Sequence, residues 1–208
     1  MKAFRLPLVA TAALLATLVT MQAGYCSTNS TPSCCARTVA PEQFSDKSLY
    51  QTESTWTTDA GKQIKLGALA GKPQVVVMFF ASCQFTCPVT VHDLQRIEAA
   101  LPAAVREQVG FTLVSFDSKR DTSAALAKYR EARQLSSKNW TLMRGEPDDV
   151  LELSALLGVN FKQDAQGNFA HSNVITILNA QGEVVHRLIG LNQDVNETVR
   201  VLEQLAAK

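Results

Sequence analysis

Two closely spaced cysteines are the residues of this sequence best suited to chemistry. Cys83 and Cys87 are separated by three residues, and Pro88 follows the second cysteine directly. A thiolate is both a nucleophile and a soft metal ligand, so two thiols at this spacing are able to grip one soft ion or to close a disulfide. Two buried cysteines that merely pack are the remaining alternative.

The cysteine pair lies where a predicted strand is followed by a predicted helix. The unbroken apolar run at residues 75–80 predicts a central strand covered on both faces. Pro88 opens a helical pattern with apolar residues at spacings of three and four. Open α/β sheets place ligands at the carboxyl ends of such strands, and a helix N-terminus lowers the pKa of a thiol. Four residues apart, Cys83 and Cys87 are expected to share one side of the first helical turn.

Two carboxylates follow the next predicted buried strand, at residues 111–116. Asp117 and Asp121 are therefore expected at the same edge of the sheet as the cysteines, where they are candidates to support the site from behind its ligands. The alternative is a solvated turn in which Asp121 caps the following helix. The sequence alone leaves both arrangements open.

Further patterns predict how the rest of the chain is organised. A β-hairpin is expected around the turn at residues 59–62, and a helix capped by Asp121 or Thr122 is expected to run to about Arg133. The remaining predicted elements are a strand at 140–143, a helix from Pro147 to Gly158, strands at 174–178 and 183–189, and a helix at 194–205. Strands that alternate with helices predict an α/β domain of three layers with an N-terminal hairpin.

Composition limits the classes of protein to which this chain can belong. The 208 residues are 46% hydrophobic and 19% charged, which excludes an intrinsically disordered chain and a collagen-like repeat. The formal net charge is +1, so there is no basic excess to neutralise phosphates and we expect no nucleic-acid partner. Five cysteines suit an oxidising compartment.

Residues 1–23 are predicted to be a signal peptide or a membrane anchor. Lys2 and Arg5 give a positive start, and the uncharged stretch at residues 6–21 is shorter than the roughly 20 residues that span a bilayer as a helix. A cleaved signal peptide is therefore favoured over a retained anchor. Lipidation of Cys26 is the least favoured alternative.

Residues 24–50 are predicted to be a flexible linker, because they are rich in Ser, Thr and Pro and lack apolar periodicity. Cys26, Cys34 and Cys35 lie within this linker. Three cysteines are able to bind a soft metal, but we favour a tail whose cysteines pair with each other or with a neighbour. The folded domain is predicted for residues 51–208.

The body of the chain, roughly residues 54–205, resembles the Sco/SenC copper-chaperone family, a thioredoxin-like group. The residues that carry the resemblance are Cys83-x3-Cys87-Pro88 after Phe79-Phe80, Asp117 with Arg120-Asp121-Thr122, and His171 before a late strand. The resemblance implies a thioredoxin-like α/β/α fold and copper bound by Cys83, Cys87 and His171. Family members commonly carry Pro after the first cysteine, whereas Gln84 stands here, so a divergent branch is expected.

The chemistry of the residues supports the same three ligands, because two thiolates and an imidazole suit copper(I) and also tolerate copper(II). His171 precedes the apolar run at residues 174–178, where thioredoxin-like oxidoreductases usually have a proline. This chain has no proline after Pro147. A plain loop histidine is the alternative for His171. His92 and His186 are expected to be surface residues rather than ligands.

The resemblance implies an extracytoplasmic, periplasmic metallochaperone rather than an enzyme. Its role would be copper delivery or thiol reduction during assembly of the binuclear copper centre of cytochrome c oxidase. The implied partner is the copper-site subunit of the oxidase or another copper- or thiol-carrying protein. Membrane attachment through the N-terminus is expected where that segment is retained.

Three other functions stay open. A thiol–disulfide oxidoreductase resembling TlpA-type thioredoxins would use Cys83 and Cys87 as a redox pair, although that group prefers C-x2-C. A peroxiredoxin is disfavoured, because Phe80 and Gln84 stand where Thr or Ser is expected, three residues before the reactive cysteine. A purely structural binding module is the last alternative.

Overall fold

A seven-stranded sheet forms the centre of the part of the chain that the computed structural model describes, residues 44–165 and 169–207. The strands there are β1 (Thr55–Thr58), β2 (Gln63–Lys65), β3 (Gln74–Phe79), β4 (Gly110–Ser115), β5 (Trp140–Arg144), β6 (Phe161–Gln163), β7 (Phe169–His171), β8 (Val174–Leu178) and β9 (Val184–Ile189). The order in the sheet is β2-β1-β5-β4-β3-β8-β9, and β6 pairs with β7 in a separate two-stranded ribbon. β3, β4 and β5 are parallel, and the other neighbouring pairs are antiparallel.

β3 and β4 lie in the middle of the sheet, and every residue in them is buried. Parallel strands that are covered on both faces need apolar residues at successive positions, which explains the run at residues 75–80. Two polar side chains in this pair bond each other, because the hydroxyl of Thr112 donates to the amide oxygen of Gln74 over 3.1 Å. The predicted central strand is confirmed, and its carboxyl end leads to the cysteine pair.

Helices cover both faces of this sheet. They are α1 (Thr86–Ala100), α2 (Ala103–Arg106), α3 (Ser123–Ala132), α4 (Pro147–Leu157) and α5 (Asn196–Ala206). α1 and α3 lie on one face. There the indole N–H of Trp140 donates to Glu98 of α1 over 3.0 Å, and Tyr129 of α3 packs on Phe79 with ring centroids 5.1 Å apart. Trp140 is therefore a core aromatic residue.

α4 covers the opposite face of the sheet. Its residues Leu153 and Leu157 line a small internal cavity together with Val76 of β3 and Met143 of β5. Successive residues of a strand point to opposite faces, so Val76 and Phe79 face different helices. The predicted layering of helices, sheet and helix is confirmed.

The ends of two helices agree with the prediction from sequence. The hydroxyl of Thr122 accepts a hydrogen bond from the N–H of Ala125 over 3.2 Å and caps α3. α4 begins at Pro147, and Gly158 ends it with φ +74°, in the left-handed region that favours glycine. The β6–β7 ribbon and α2 were not predicted, because elements of three or four residues are too short to show a period.

The folded part of the chain begins before residue 51, the boundary that the sequence predicted. Leu49 and Tyr50 are buried against the core. Ser48 forms an isolated β-bridge with Glu183, in the turn between β8 and β9. The end of the predicted linker is therefore part of the domain, because two large apolar side chains anchor it there.

The predicted signal peptide or anchor, most of the predicted linker and its three cysteines belong to residues 1–43, which lie outside the described residues. Among the helices that are described, none has the length and apolar character needed to cross a membrane.

Candidate metal centre

The two cysteines of the motif lie in the turn after β3 and in the first turn of α1. The N–H of Cys83 donates to the carbonyl of Phe80 over 3.2 Å. α1 begins at Thr86 rather than at Pro88, so Cys87 lies inside the helix, and its N–H donates to Sγ of Cys83 over 3.4 Å. Both thiols are free, and only 8% of Cys83 and 1% of Cys87 is exposed.

His171, the last residue of β7, brings an imidazole to the cysteine pair. Its Nε2 atom lies 3.7 Å from Sγ of Cys87 and 3.2 Å from the hydroxyl oxygen of Thr86. Its Nδ1 atom lies 3.1 Å from the carbonyl oxygen of Ser172. A carbonyl oxygen only accepts hydrogen bonds, so Nδ1 carries a proton, and the tautomer that fits this contact has its free lone pair on Nε2. The β6–β7 ribbon is the element that places this ring.

Thr86, which was not predicted to belong to the site, lies between two of the candidate ligands. Oγ1 of Thr86 is 3.8 Å from Sγ of Cys83 and 3.2 Å from Nε2 of His171. Within the described ranges, no three His, Cys, Asp or Glu side chains form a ready metal-binding group. The hydroxyl of Thr86 thus contacts two of the three candidate ligands. The available signal was the position of Thr86 inside the motif, one residue before Cys87.

Phenylalanine side chains form an apolar wall behind His171. The ring of Phe116 lies 5.1 Å from the imidazole, and the ring of Phe80 meets it edge-on at 6.3 Å. Phe116 also packs on Phe161 and Phe169, with centroids 5.2 and 5.0 Å apart. This packing fixes the imidazole and keeps water from one of its sides. This wall was not predicted from the sequence, although Phe80 and Phe116 directly follow adjacent strands.

The two thiols differ in acidity. Burial acts to raise the pKa of Cys83, but the backbone N–H groups of Cys87 and Phe85 stabilise the thiolate, and the pKa is lowered overall. Burial raises the pKa of Cys87 to about 12, and the neighbouring Cys83 contributes to the rise. Cys83 is therefore the thiol that more readily forms a thiolate.

Asp121 supports the turn that carries Cys83. Its carboxylate accepts hydrogen bonds from the N–H of Ala81 over 2.8 Å and from the hydroxyl of Ser115 over 2.5 Å. Burial raises the pKa of Asp121 by more than these two hydrogen bonds lower it. The alternative, a solvated turn in which Asp121 caps the following helix, is wrong, because the Asp121 side chain is buried and Thr122 caps α3.

The remaining candidate side chains have other partners. The buried carboxylate of Asp117 accepts hydrogen bonds from the backbone N–H of Arg120, over 3.2 Å, and from its guanidinium group. His92 is exposed on α1. His186 is half-buried, and its Nε2 atom lies 3.1 Å from the hydroxyl of Thr198 in α5. The structure thus places His171 beside Cys83 and Cys87, whereas His92 and His186 lie elsewhere.

The site opens to solvent on the side of Cys83. A cavity of about 350 Å³ is lined by Cys83, Phe85, Thr86 and Phe169, among others. Phe85 stands at this opening and is 84% exposed. A ligand is therefore able to reach the first thiol from solvent, whereas the phenylalanine wall closes the site behind His171.

The layers, the sheet order and the thiol pair at the end of a central strand define a thioredoxin-like domain. The SCO1/SenC family matches the chain over residues 42–207. The chain therefore belongs to the SCO1/SenC family. Family membership, which the sequence analysis inferred from the cysteine motif and His171, is confirmed.

One relative and two solved structures show how far this likeness extends. A protein of Stutzerimonas stutzeri named "Putative copper-binding protein" is 27% identical over 120 residues, which are 56% of this chain and 57% of that protein. The chain thus matches little more than half the length of this relative.

The solved structure of Bradyrhizobium japonicum ScoI with copper bound is 19% identical, with a TM-score of 0.59, and the match covers 73% of this chain and 96% of that one. BsSco is described as a member of the Sco family of cytochrome c oxidase assembly proteins with a disulfide switch. It is 19% identical, with a TM-score of 0.65, and the match covers 74% of this chain and 91% of that one. At these identities the structures establish the shared fold, and the predicted thioredoxin-like fold is confirmed.

Proposed function

We propose that this chain is a copper-binding metallochaperone that holds the ion between Cys83, Cys87 and His171. The observation that carries the proposal is the 3.7 Å distance between Nε2 of His171 and Sγ of Cys87, next to the thiol of Cys83. Copper is the cargo of such a protein rather than a resident cofactor. The copper-binding relative and the copper-bound ScoI structure support the choice of metal.

The donor set fits copper(I). Two thiolates and a neutral imidazole are soft and borderline ligands, and they also tolerate copper(II). Each thiol loses its proton to solvent when the metal binds, so the apparent affinity should rise with pH. The low exposure of Cys83 and Cys87 would shield a bound ion from solvent, and the opening lined by Cys83 would be its route of entry and release.

The partner we propose is the copper-site subunit of cytochrome c oxidase, outside the cytoplasm. The chain would deliver copper to the binuclear centre, reduce the thiols that receive it, or do both. Family membership and the oxidase-assembly role stated for BsSco support this part of the proposal. The predicted export segment at residues 1–23 supports the location.

Copper(I) titration tests the metal site. We would use the full chain with Cys26, Cys34 and Cys35 replaced by Ser, so that cysteines other than Cys83 and Cys87 do not bind copper. Competition with a chromophoric copper(I) chelator should show one tightly held equivalent. Cys83→Ser or Cys87→Ser should abolish it, and His171→Ala should weaken it. The exposed His92→Ala is the matched control and should change nothing. Binding that survives both cysteine substitutions would overturn the proposal.

Thiol–disulfide exchange is a second candidate function, favoured by the contact between the Cys87 N–H and Sγ of Cys83. In that reaction the Cys83 thiolate attacks a substrate disulfide, which releases one substrate thiol and leaves a mixed disulfide on Cys83. The Cys87 thiol then loses its proton and attacks Sγ of Cys83, which releases the second substrate thiol and oxidises the pair to a disulfide. Turnover of insulin with a thiol reductant at a thioredoxin-like rate would favour this function. A chain that binds copper(I) but does not reduce insulin would favour the metallochaperone.

A further inference from the structure

The hydroxyl of Thr86 forms a hydrogen bond with Nε2 of His171, the nitrogen whose lone pair would bind a metal. Nδ1 of His171 donates to the carbonyl of Ser172, so Nε2 is the acceptor nitrogen of the neutral ring. Oγ1 of Thr86 lies 3.2 Å from this nitrogen and 3.8 Å from Sγ of Cys83, so its one proton is well placed to be donated to Nε2. An imidazole nitrogen has one lone pair in the ring plane, so it cannot accept this hydrogen bond and bind copper at the same time.

We propose that Thr86 acts as a gate that competes with copper for His171, and so lowers the affinity of the site and eases release of the ion. The inference rests on the proposed function and concerns the same site. Thr86 is a positioning residue here, because it acts on the metal through His171.

The gate is able to open without moving the helix. Thr86 is the first residue of α1 and lines the open cavity of about 350 Å³, so a hydroxyl that turns away from His171 meets solvent. Threonine divides between two side-chain rotamers at helical positions. His171 keeps its orientation during this change, because Ser172 holds Nδ1 and Phe116 packs against the ring.

A pair of substitutions isolates the hydroxyl. Thr86→Val keeps the shape of the side chain and removes the donor, whereas Thr86→Ser keeps the donor. Both are made in the full chain with the three N-terminal cysteines replaced by Ser. Loss of one neutral hydrogen bond corresponds to a change in affinity of roughly two- to tenfold. We expect Thr86→Val to bind copper(I) tighter by this factor and to transfer it more slowly to a chelator, while Thr86→Ser behaves as the parent chain.

Two further measurements separate the gate from a packing effect. In a His171→Ala background, Thr86→Val should no longer tighten copper(I) binding, because the imidazole nitrogen for which the hydroxyl and copper compete is absent. In the metal-free chain, the ¹⁵N resonance of Nε2 in His171 should move in Thr86→Val and stay in place in Thr86→Ser. Equal or weaker binding in Thr86→Val, or an equal gain without His171, would overturn the inference.

The outcomes also distinguish this inference from the proposed function. Binding that depends on Cys83 and His171, with no gain in Thr86→Val, overturns the gate and leaves the metallochaperone in place. Absence of copper binding in the parent chain overturns the proposed function and, with it, the gate.

Discussion

Nε2 of His171 lies 3.7 Å from Sγ of Cys87, although 84 positions separate the two residues in the chain. The thiol comes from the first turn of α1, and the imidazole comes from the ribbon formed by β6 and β7. In that ribbon His171 pairs with Phe161, whose ring stacks on Phe116 at the end of β4. The position of the imidazole therefore depends on the contact of a two-stranded ribbon with the main sheet.

The two thiols should react at different rates. Cys83 has a lowered pKa and lines the open cavity, whereas burial raises the pKa of Cys87 to about 12. The thiolate fraction at neutral pH falls about tenfold for each unit by which a pKa rises. In the reduced, metal-free chain we expect iodoacetamide to modify Cys83 more than about tenfold faster than Cys87, as measured by timed labelling and tandem mass spectrometry.

The unfolded chain is the control for this labelling. In urea both thiols lose their surroundings, so their rates should converge. Equal rates in the folded chain, or faster modification of Cys87, would show that the backbone N–H groups around Cys83 do not stabilise its thiolate.

The sequence predicted the elements with long periodic patterns, and the β1–β2 hairpin from its turn signal, but it missed the β6–β7 ribbon and α2. The apolar run at residues 75–80 and the spacing of Cys83 and Cys87 correctly placed a thiol pair between a central strand and a helix. The β6–β7 ribbon has three residues in each strand, so it leaves no period to read. His171 was predicted to lie near the cysteines from the family resemblance. Neither the spacing of residues nor the composition predicts that proximity.

Contacts between distant residues were also beyond the reach of local patterns. Asp121 could be seen to follow a strand, but its hydrogen bond to the N–H of Ala81, 40 positions earlier, depends on how two strands pair. Thr86 lies inside the motif, yet its role as a neighbour of His171 becomes visible only when the ribbon is in place. The sequence thus predicted the kinds of ligands better than the side chains that orient them.

Removal of the Asp121 carboxylate should destabilise the domain. The carboxylate satisfies the N–H of Ala81 and the hydroxyl of Ser115, so Asp121→Ala leaves buried donors unpaired, at a cost of about 1–3 kcal/mol. Asp121→Asn keeps an acceptor for the N–H of Ala81 and should cost less. Urea unfolding at neutral pH measures both. An alanine variant as stable as the parent chain would contradict this role.

Asp121 should also make the free energy of unfolding depend on pH, in the direction opposite to that usual for an acidic group. Burial raises its pKa above the ordinary value of 3.8, so the folded chain binds this proton more tightly than the unfolded chain. The contribution of Asp121 to stability is therefore largest below 3.8 and is lost as the pH rises through the raised pKa. The difference in unfolding free energy between the parent chain and Asp121→Asn should shift against the parent over this window. A difference that is constant with pH would contradict the prediction.

Gly182 should be intolerant of a side chain. It has φ +83°, and an added Cβ would lie 2.5 Å from the ring of Tyr50. Gly61 has a similar φ of +77° but open space around it, so it is the matched control. Gly61→Ala should cost about 1–2 kcal/mol through the backbone alone. Gly182→Ala should cost more in urea unfolding, because it also displaces Tyr50. Equal costs would show that the segment around Tyr50 is not firmly packed on the domain.

The phenylalanine wall should matter for copper as well as for stability. Phe116 packs on the ring of His171, whereas Phe111, which is also buried, stacks on Trp140 in the core with centroids 4.8 Å apart. Phe116→Leu and Phe111→Leu should each lower the free energy of unfolding by about 0.5–3 kcal/mol. Only Phe116→Leu frees the imidazole, so only it should weaken copper(I) binding, by about tenfold. Chelator competition on both variants checks this expectation. Equal loss of affinity in the two would mean that global loosening, and not the position of His171, controls the site.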